Sequence, residues 1–490
     1  MKQICFIFVK TFKQVLKAIR SNTNISPHGG AVPILKKLQE FGIPQVIRSI
    51  LGVRKKQSKY EFSDIFIAWV LTSLCGGTRL EHITKLKKKL SIIPELKLPS
   101  HDTLGRVMKQ LASEVTTVKN VQNKGLAYTQ KNENILLNKM LVHASKAARA
   151  IEENKSYTVS IDATFIPTEC RGAVRKKNLE GKIDYSRIGF NPMICFIDNM
   201  PVFVSMRDGY ANGHFELNNC LQNCLNLLSD ANIKVDRVIS DAAGYNKKAF
   251  EELQANNIKF IVRFPFGSKM ETFKAALISC DKWRKSEIET ANFNWSCEVG
   301  DIPYKMHDDY SLGYVSPTWR VVAMRIPIVE TDTDARTALE LNNKKLKILS
   351  NNKKLKEYGK SNHEGKWVFI GNYKYKFIIT NDYEKKAEEL IVEYNKRGTT
   401  ERVISFMKND FGWRLPPFMN MNENTVFLIA SSLANNIFKG MVRVFKESIP
   451  ELRLNMRLRE FQFVFMDVAC ALIKGVYQFF KTDIAYEKIM

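Results

Sequence analysis

The sequence predicts an α/β fold: a mixed sheet flanked by helices, carrying a β-rich insertion, with a helical N-terminal region and a helical C-terminal tail. Three observations predict it. Residues 155–266 run strand, strand, strand, helix, strand, helix, as apolar–polar alternation gives way to helical spacing. Two segments of that stretch, 157–162 and 235–241, share one design, a β-rich run that ends in an acid, Asp162 or Asp241. A third acid, Glu401, follows Asp241 only after 160 positions. A minimal core of this order needs far fewer, so an inserted unit is expected at 267–370. The strand and helix order by itself also allows other α/β sheets.

Residues 1–150 read mostly as helices. Segments 62–71 and 79–86 have helical spacing, and Ser100 is placed to cap a helix carrying Thr103, Arg106 and Lys109. Two helices across a loop, the second with Thr and Arg on its first turns, fit a helix-turn-helix-like DNA reader. A plain helical bundle with a solvated basic face fits the same residues equally well. In 151–266, the first part of the core, 187–198 and 202–206 read as a hairpin around Asn199-Met-Pro201. A helix is expected at 215–230. The Asp241 strand then meets the turn Ala242-Ala-Gly-Tyr-Asn246, a helix from near Lys247 and a strand at 259–264.

The insertion, 267–370, holds four of the six tryptophans, Trp283, Trp295, Trp319 and Trp367, and strand-like pieces such as 319–325. Within it Asn-Asn-Lys-Lys-Leu-Lys at 342–347 recurs at 351–356, which reads as a solvated lysine-rich segment. The second part of the core, 371–446, returns as a strand at 376–380 and a helix from near Glu384. After Pro416-Pro417 a second long helix is expected at 425–446. The tail, 447–490, is helical by pattern and apolar around 461–480.

The chemistry concentrates in Tyr394-Asn-Lys-Arg397-Gly-Thr-Thr-Glu401, followed seven residues later by Lys408. On one helix, at about 100° per residue, Tyr394, Arg397, Glu401 and Lys408 fall within about 60° of each other. Val392, Val403, Phe406 and Met407 point the other way. An acid held among cations suits a site for divalent metal and polyanionic phosphate together. With Asp162 and Asp241 brought to the same point, three carboxylates can hold two Mg²⁺ ions about 3.5–4 Å apart, the arrangement for in-line attack on a phosphodiester.

Composition agrees with an anionic partner. Lys and Arg number 75 against 50 Asp and Glu, a net charge of +25 spread along all 490 residues. Such an excess favours nucleic acid, whose counterions each contact releases, over a membrane surface. The nine cysteines are scattered without a CxxC pair. Cys220 and Cys224 lie one helical turn apart but lack a nearby His or Cys pair to complete a zinc site. That usage fits thiols in a reducing cytoplasm. No run of 18 apolar residues predicts a membrane span, and the apolar segment 4–9 is too short for a signal-peptide core.

Asp162, Asp241 and Glu401, with the Tyr-x2-Arg-x3-Glu-x6-Lys spacing, resemble the DDE transposases of bacterial insertion sequences, in the group with the Y-R-E-K signature. Ile239-Ser-Asp-Ala-Ala-Gly-Tyr245 and Pro99-Ser-His-Asp-Thr-Leu-Gly-Arg106 are similar to that group too, and the resemblance spans roughly 25–445. It implies an RNase H-like catalytic core with a β-rich insertion, and cut-and-paste transposition with a hairpin step. It also implies two Mg²⁺ ions, for which Mn²⁺ substitutes. The implied partner is double-stranded DNA, both the element's terminal inverted repeats and the target, bound by at least a homodimer in a bacterial, nucleoid-associated setting.

On that reading Asp162, Asp241 and Glu401 are catalytic metal ligands. Arg397 and Lys408 contact phosphate, and Tyr394 hydrogen-bonds phosphate or stacks near the cleaved end. Arg175, Lys176 and Lys177, with Arg171, form a basic loop for the DNA backbone; a plain solvated loop fits as well. Arg106 faces DNA from the N-terminal region. Trp295 and Trp319 are the better candidates to hold a flipped base, against the commoner role of tryptophan in a core. Two other readings remain: a DNA-binding protein that has lost catalysis, and an RNase H-like nuclease that cuts without strand transfer.

Overall fold

The computed structural model describes residues 24–120, 127–177, 183–265, 277, 280–290, 294–305, 318–327, 367–370, 373–480, 482 and 484–490. The duplicated segment at 342–356, the apolar segment at 4–9 and the Lys177 side chain lie outside this description.

One large mixed sheet organises the chain. Its middle runs β9 (Met200–Arg207), β8 (Met193–Ile197), β4 (Ser156–Ala163), β10 (Lys234–Ser240) and β11 (Lys259–Arg263). β4, β10 and β11 are parallel; β8 and β9 run antiparallel. Beyond β9 lie β3 (Ala127–Asn132) and β2 (Thr116–Asn120). Beyond β11 lie β16 (Tyr373–Thr380), β14 (Thr318–Pro327), β13 (Asn294–Lys305) and β12 (Arg284–Glu289), with β15 (Val368–Ile370) against β16. The strands of the insertion therefore continue the central sheet through β16. β2 and β3, inside the N-terminal region read as helical, extend it at the other edge.

β4 shows why its acid points where it does. Tyr157, Val159 and Ile161 alternate into one apolar layer, leaving Ser160 and Asp162 on the other face. The first face packs on helices α7 (Leu217–Asp230) and α8 (Lys247–Ala255). Over the opposite face lie α9 (Ala387–Asn395), α10 (Gly398–Asp410) and α11 (Met421–Phe445). β8 and β9 are covered on both faces, and all their residues are buried.

The N-terminal helices α1 (Ala31–Glu40), α2 (Ile43–Leu51), α3 (Phe62–Leu74), α4 (His82–Lys89), α5 (His101–Gln110) and α6 (Ile135–Ala147) share one apolar core with α11. α11 is the one helix among the described residues long and apolar enough to cross a membrane, and 94% of that stretch is buried within the fold. Asn436 is paired inside: it donates to Ser145 Oγ (2.9 Å) and the Pro201 carbonyl (2.7 Å).

Four local expectations change. The segment 187–198 is split at Asn191-Pro192 into β7 (Ile183–Phe190) and β8, because proline offers no N–H to a ladder. β7 joins β5 (Ile166–Pro167) and β6 (Val174–Lys177) in a small sheet, so the expected basic loop is partly a strand. The C-terminal tail is helical only in its first half: α12 (Leu458–Phe461) runs on as a π-helical turn, Gln462–Met466, and then β17 (Cys470–Ile473) and β18 (Val476–Phe479) form a hairpin. Lys474 (φ 49°) and Gly475 (φ 80°) supply its two-residue turn, and β17 also pairs with β1 (Ile25–Ser26). Finally, the segment from Glu384 expected as one helix is two, α9 and α10, joined at Lys396–Arg397.

Gly440 marks how closely α11 meets the end of α6. A Cβ there would lie 2.2 Å from the Ala148 carbonyl oxygen. In an open helix Gly→Ala stabilises by up to about 1 kcal/mol. Here overpacking by about 1–3 kcal/mol should win, so Gly440→Ala should lower the urea midpoint. A raised midpoint would mean that this backbone contact yields.

Candidate active site

Asp162 and Asp241 stand side by side because their strands are parallel neighbours in register. Ser240 lies opposite Ile161, so the residue after each reaches the same level at the C-terminal end of the sheet. Asp162 Oδ1 accepts from the Ala163 N–H (2.9 Å), and Asp241 Oδ1 accepts from the Ala243 N–H (2.8 Å), which caps the turn after β10. Gly244 in that turn sits on Ser240, whose Oγ would be 2.4 Å from an added Cβ.

Glu401 comes from the layer above. Arg237 of β10, itself buried, donates to Asp382 (2.7 Å) and Glu393 (2.8 Å), and so ties α9 to the sheet. The chain then turns at Lys396–Arg397. Thr399 and Thr400 N–H groups bond back three residues to Lys396 and Arg397, tightening the junction before α10. Gly398 weakens helix continuation at this point. The Ser160 and Thr400 hydroxyls meet at 3.0 Å, fastening α10 to β4.

The Arg397 guanidinium lies where the acids converge. Nη2 is 2.9 Å from Asp162 Oδ2 and 3.7 Å from Asp241 Oδ2; Nη1 is 3.7 Å from Glu401 Oε1. Its Nε is buried without a hydrogen-bond partner. The Asp162 side chain is 14% exposed and the Glu401 side chain 70% exposed. An open pocket of about 490 Å³ is lined by these four residues with Ala163, Thr164, Arg263, Tyr394 and Ile404.

Electrostatics follow from that packing. Burial lifts Asp162 to about 6; Arg397 opposes it, and Asp241 and Glu401 add to it. Burial also works against the Arg397 charge, but Asp162, Asp241, Tyr394 and Glu401 outweigh it and raise its pKa. Burial raises the Tyr394 phenol, so it remains a donor, and lowers Arg263.

Among the described residues, no three His, Cys, Asp or Glu side chains lie close enough as they stand to hold a metal ion. The sequence places the three acids around paired Mg²⁺; the structure places them around Arg397. Their chemistry nonetheless fits a hard divalent cation, since all three offer carboxylate oxygens into one open pocket.

The family model of the transposase DDE domain matches residues 153–437, a span that contains all three acids. The chain belongs to the DDE transposase family. No curated protein sequence matches it. Among solved structures it is similar to a piggyBac transposase synaptic complex with hairpin DNA: 8% identity, TM-score 0.39, 88% of this chain and 79% of that one. It is also similar to the Drosophila P element transposase strand transfer complex: 14% identity, TM-score 0.22, 85% and 88% of the two chains. Likenesses this low carry no argument about the site.

In this transposase the other sequence-singled residues scatter. Tyr394 lines the pocket. Lys408 does not: two turns beyond Glu401 on α10, it is half-buried and donates to the Phe165 carbonyl (2.9 Å). Arg175 and Lys176 lie on β6, Lys176 with its ammonium 5.1 Å from the Phe165 ring. Arg106 is exposed on α5 beside a separate pocket of about 590 Å³, lined also by Lys109 and Phe418. Trp319 is corrected: it is 1% exposed, packs against Phe250 and Phe260, and donates to Gln254 (3.1 Å), so it is a core residue. Trp295 is half-buried against the α9 side of the sheet, under the Lys376 ammonium (4.6 Å), and does not line the pocket. Arg263 was missed. Its one sequence signal is a cation ending the strand parallel to the Asp241 strand.

A carboxyl whose folded pKa exceeds its unfolded value favours the fold while protonated. For Asp162 that contribution is complete below about pH 4 and is lost as pH rises through 6. In chelator, the wild-type melting temperature should therefore fall relative to Asp162→Asn between about pH 4 and 7. Parallel curves for the two proteins would place Asp162 in a solvated setting.

Proposed function

We propose that this transposase moves a bacterial insertion sequence by cut-and-paste. It would bind the element's terminal inverted repeats as a homodimer, hydrolyse one strand at each end, pass through a hairpin step, and join the freed 3′ ends to target DNA. The strand order β9-β8-β4-β10-β11, with three antiparallel and then two further parallel strands, supports an RNase H-like core for this chemistry. The observation that carries the reading is the meeting of three acids, distant in the chain, with two guanidinium groups in one open pocket.

Asp162, Asp241 and Glu401 would hold two Mg²⁺ ions, with Mn²⁺ as a substitute. When bound, the metal lowers the pKa of the attacking water or 3′-hydroxyl and stabilises the leaving oxygen. The chain supplies the rest. Asp162 and Asp241 are held rigidly at strand ends, while Glu401 sits on the exposed first turn of α10, free to close on its partners. Arg397 and Arg263 line the pocket from two sides and offer planar forks to the scissile phosphate. The Tyr394 phenol donates to a phosphate oxygen. Lys408 fixes the turn after Asp162 through Phe165 and adds positive charge beside it. Arg175, Lys176 and Lys177, and Arg106 on α5, continue the cationic surface along the duplex.

Incubation with duplexes carrying the element ends, Mg²⁺ and a target plasmid tests this reading. Cleaved and joined products are expected. Binding without cleavage would favour a DNA-binding protein that has lost catalysis, and cleavage without joining would favour a nuclease. Glu401→Gln should abolish cleavage and leave end binding within a few-fold, because it removes charge from the acid cluster and little DNA contact. Wild-type cleavage by that variant would remove Glu401 from the site.

A further inference from the structure

Between α10 and α11 the chain makes a short turn, Arg414-Leu-Pro-Pro-Phe-Met419, that the chemistry above leaves unused. Leu415 is 55% exposed and Met419 59% exposed, at the two ends of Pro416-Pro417. The turn is fixed from beneath. Phe418 is buried, its N–H bonds to Asn424 Oδ1 (2.9 Å), and its carbonyl accepts from Asn424 Nδ2 (2.8 Å) and the Cys170 thiol (2.9 Å). The Arg171 N–H bonds to the Met419 carbonyl (2.7 Å). Two consecutive prolines restrict the backbone further. Two large apolar side chains are thus held out in water by a rigid support.

Their surroundings are mainly cationic, with one carboxylate, Glu423 of α11, 3.9 Å from Lys109. On one side, the Arg414 N–H bonds to the Lys408 carbonyl (3.3 Å), and the Lys408 and Lys176 ammonium groups both reach Phe165, one at its carbonyl (2.9 Å) and one 5.1 Å from its ring. Lys408 bonds to Phe165, three residues past Asp162. On the other side, the Lys109 ammonium of α5 lies 5.6 Å from the Phe418 ring. The turn therefore stands between the catalytic pocket and the basic face of α5. A partner with an anionic exterior and apolar, stacked faces inside it matches both halves of this surface, and duplex DNA is such a partner.

We propose that this turn is a wedge: Leu415 and Met419 press into the base stack of duplex DNA beside the scissile phosphate, while Arg414, Lys408 and Lys176 hold the adjoining backbone. Apolar side chains placed between base steps unstack them, and a loosened pair frees the strand to bend toward the catalytic pocket. The inference rests on the transposase reading and names a DNA contact beyond it.

The test uses full-length protein in Ca²⁺ and a set of duplexes tiling the DNA on either side of the reading frame. Each carries one 2-aminopurine, which brightens when unstacked. Wild-type protein should brighten the probe several-fold at one or two positions next to the cleavage site mapped in Mg²⁺. The double variant Leu415→Ser, Met419→Ser should keep the wild-type melting temperature, since both side chains are exposed, and should lose most of that rise while still binding the duplex. Equal brightening by the two proteins, or cleavage by wild type without any brightening, would overturn the wedge alone. Failure of wild-type protein to bind any of the duplexes would overturn the wedge together with the transposase reading.

Discussion

Everything at this site depends on one ion cluster, the Arg397 guanidinium among the carboxylates of Asp162, Asp241 and Glu401. Parallel register forces the two aspartates together at the end of β4 and β10, and the Asp241 charge opposes ionisation of Asp162. Burial adds to the strain, and Asp162 is pushed to about 6 even with the arginine beside it. A fold that merely needed stability would not gather acids here, because an ion cluster of this kind is weak support for a fold. The arrangement makes sense where a stronger cation and an anionic substrate take over the charge balance.

The rest of the molecule holds that cluster in place. The sheet sets the aspartates, and the buried Arg237 network with Asp382 and Glu393 sets α9. The Ser160–Thr400 contact sets α10. Behind α10, α11 threads the core shared with the N-terminal helices, so the basic face of α5 and the catalytic pocket belong to one packed body. The turn at 414–419 follows α10 and meets α5 through Phe418, whose ring lies 5.6 Å from the Lys109 ammonium.

Much of this was legible in the sequence, for physical reasons. Strand alternation and the turn after Asp241 mark both aspartates, because a β-strand fixes side-chain direction every second residue. The helical pattern around Glu401 marks its element but not the break at Arg397, which depends on i-to-i+3 bonding next to Gly398. Lys408 shares α10 with Glu401 but stands two turns further along it, a separation along the axis that a helix-face angle does not report. Trp319 was misjudged because composition cannot tell a core aromatic from an exposed one. The tail read as helical throughout because its apolar spacing is ambiguous, whereas the positive φ at Lys474 and Gly475 commits its second half to a hairpin. Pairing of the insertion strands with β16, and the entry of Arg263 into the pocket, are long-range consequences of topology that no local pattern encodes.

On the proposed function, the three acids form a metal site from which Arg397 is displaced toward the phosphate. Crystals grown with Mn²⁺ and an end duplex test it most directly through the anomalous signal. The account predicts two peaks within coordination distance of Asp162, Asp241 and Glu401, with the Arg397 guanidinium turned away from Asp162 and onto the DNA backbone. Manganese bound elsewhere, with Arg397 still joined to Asp162, would contradict it.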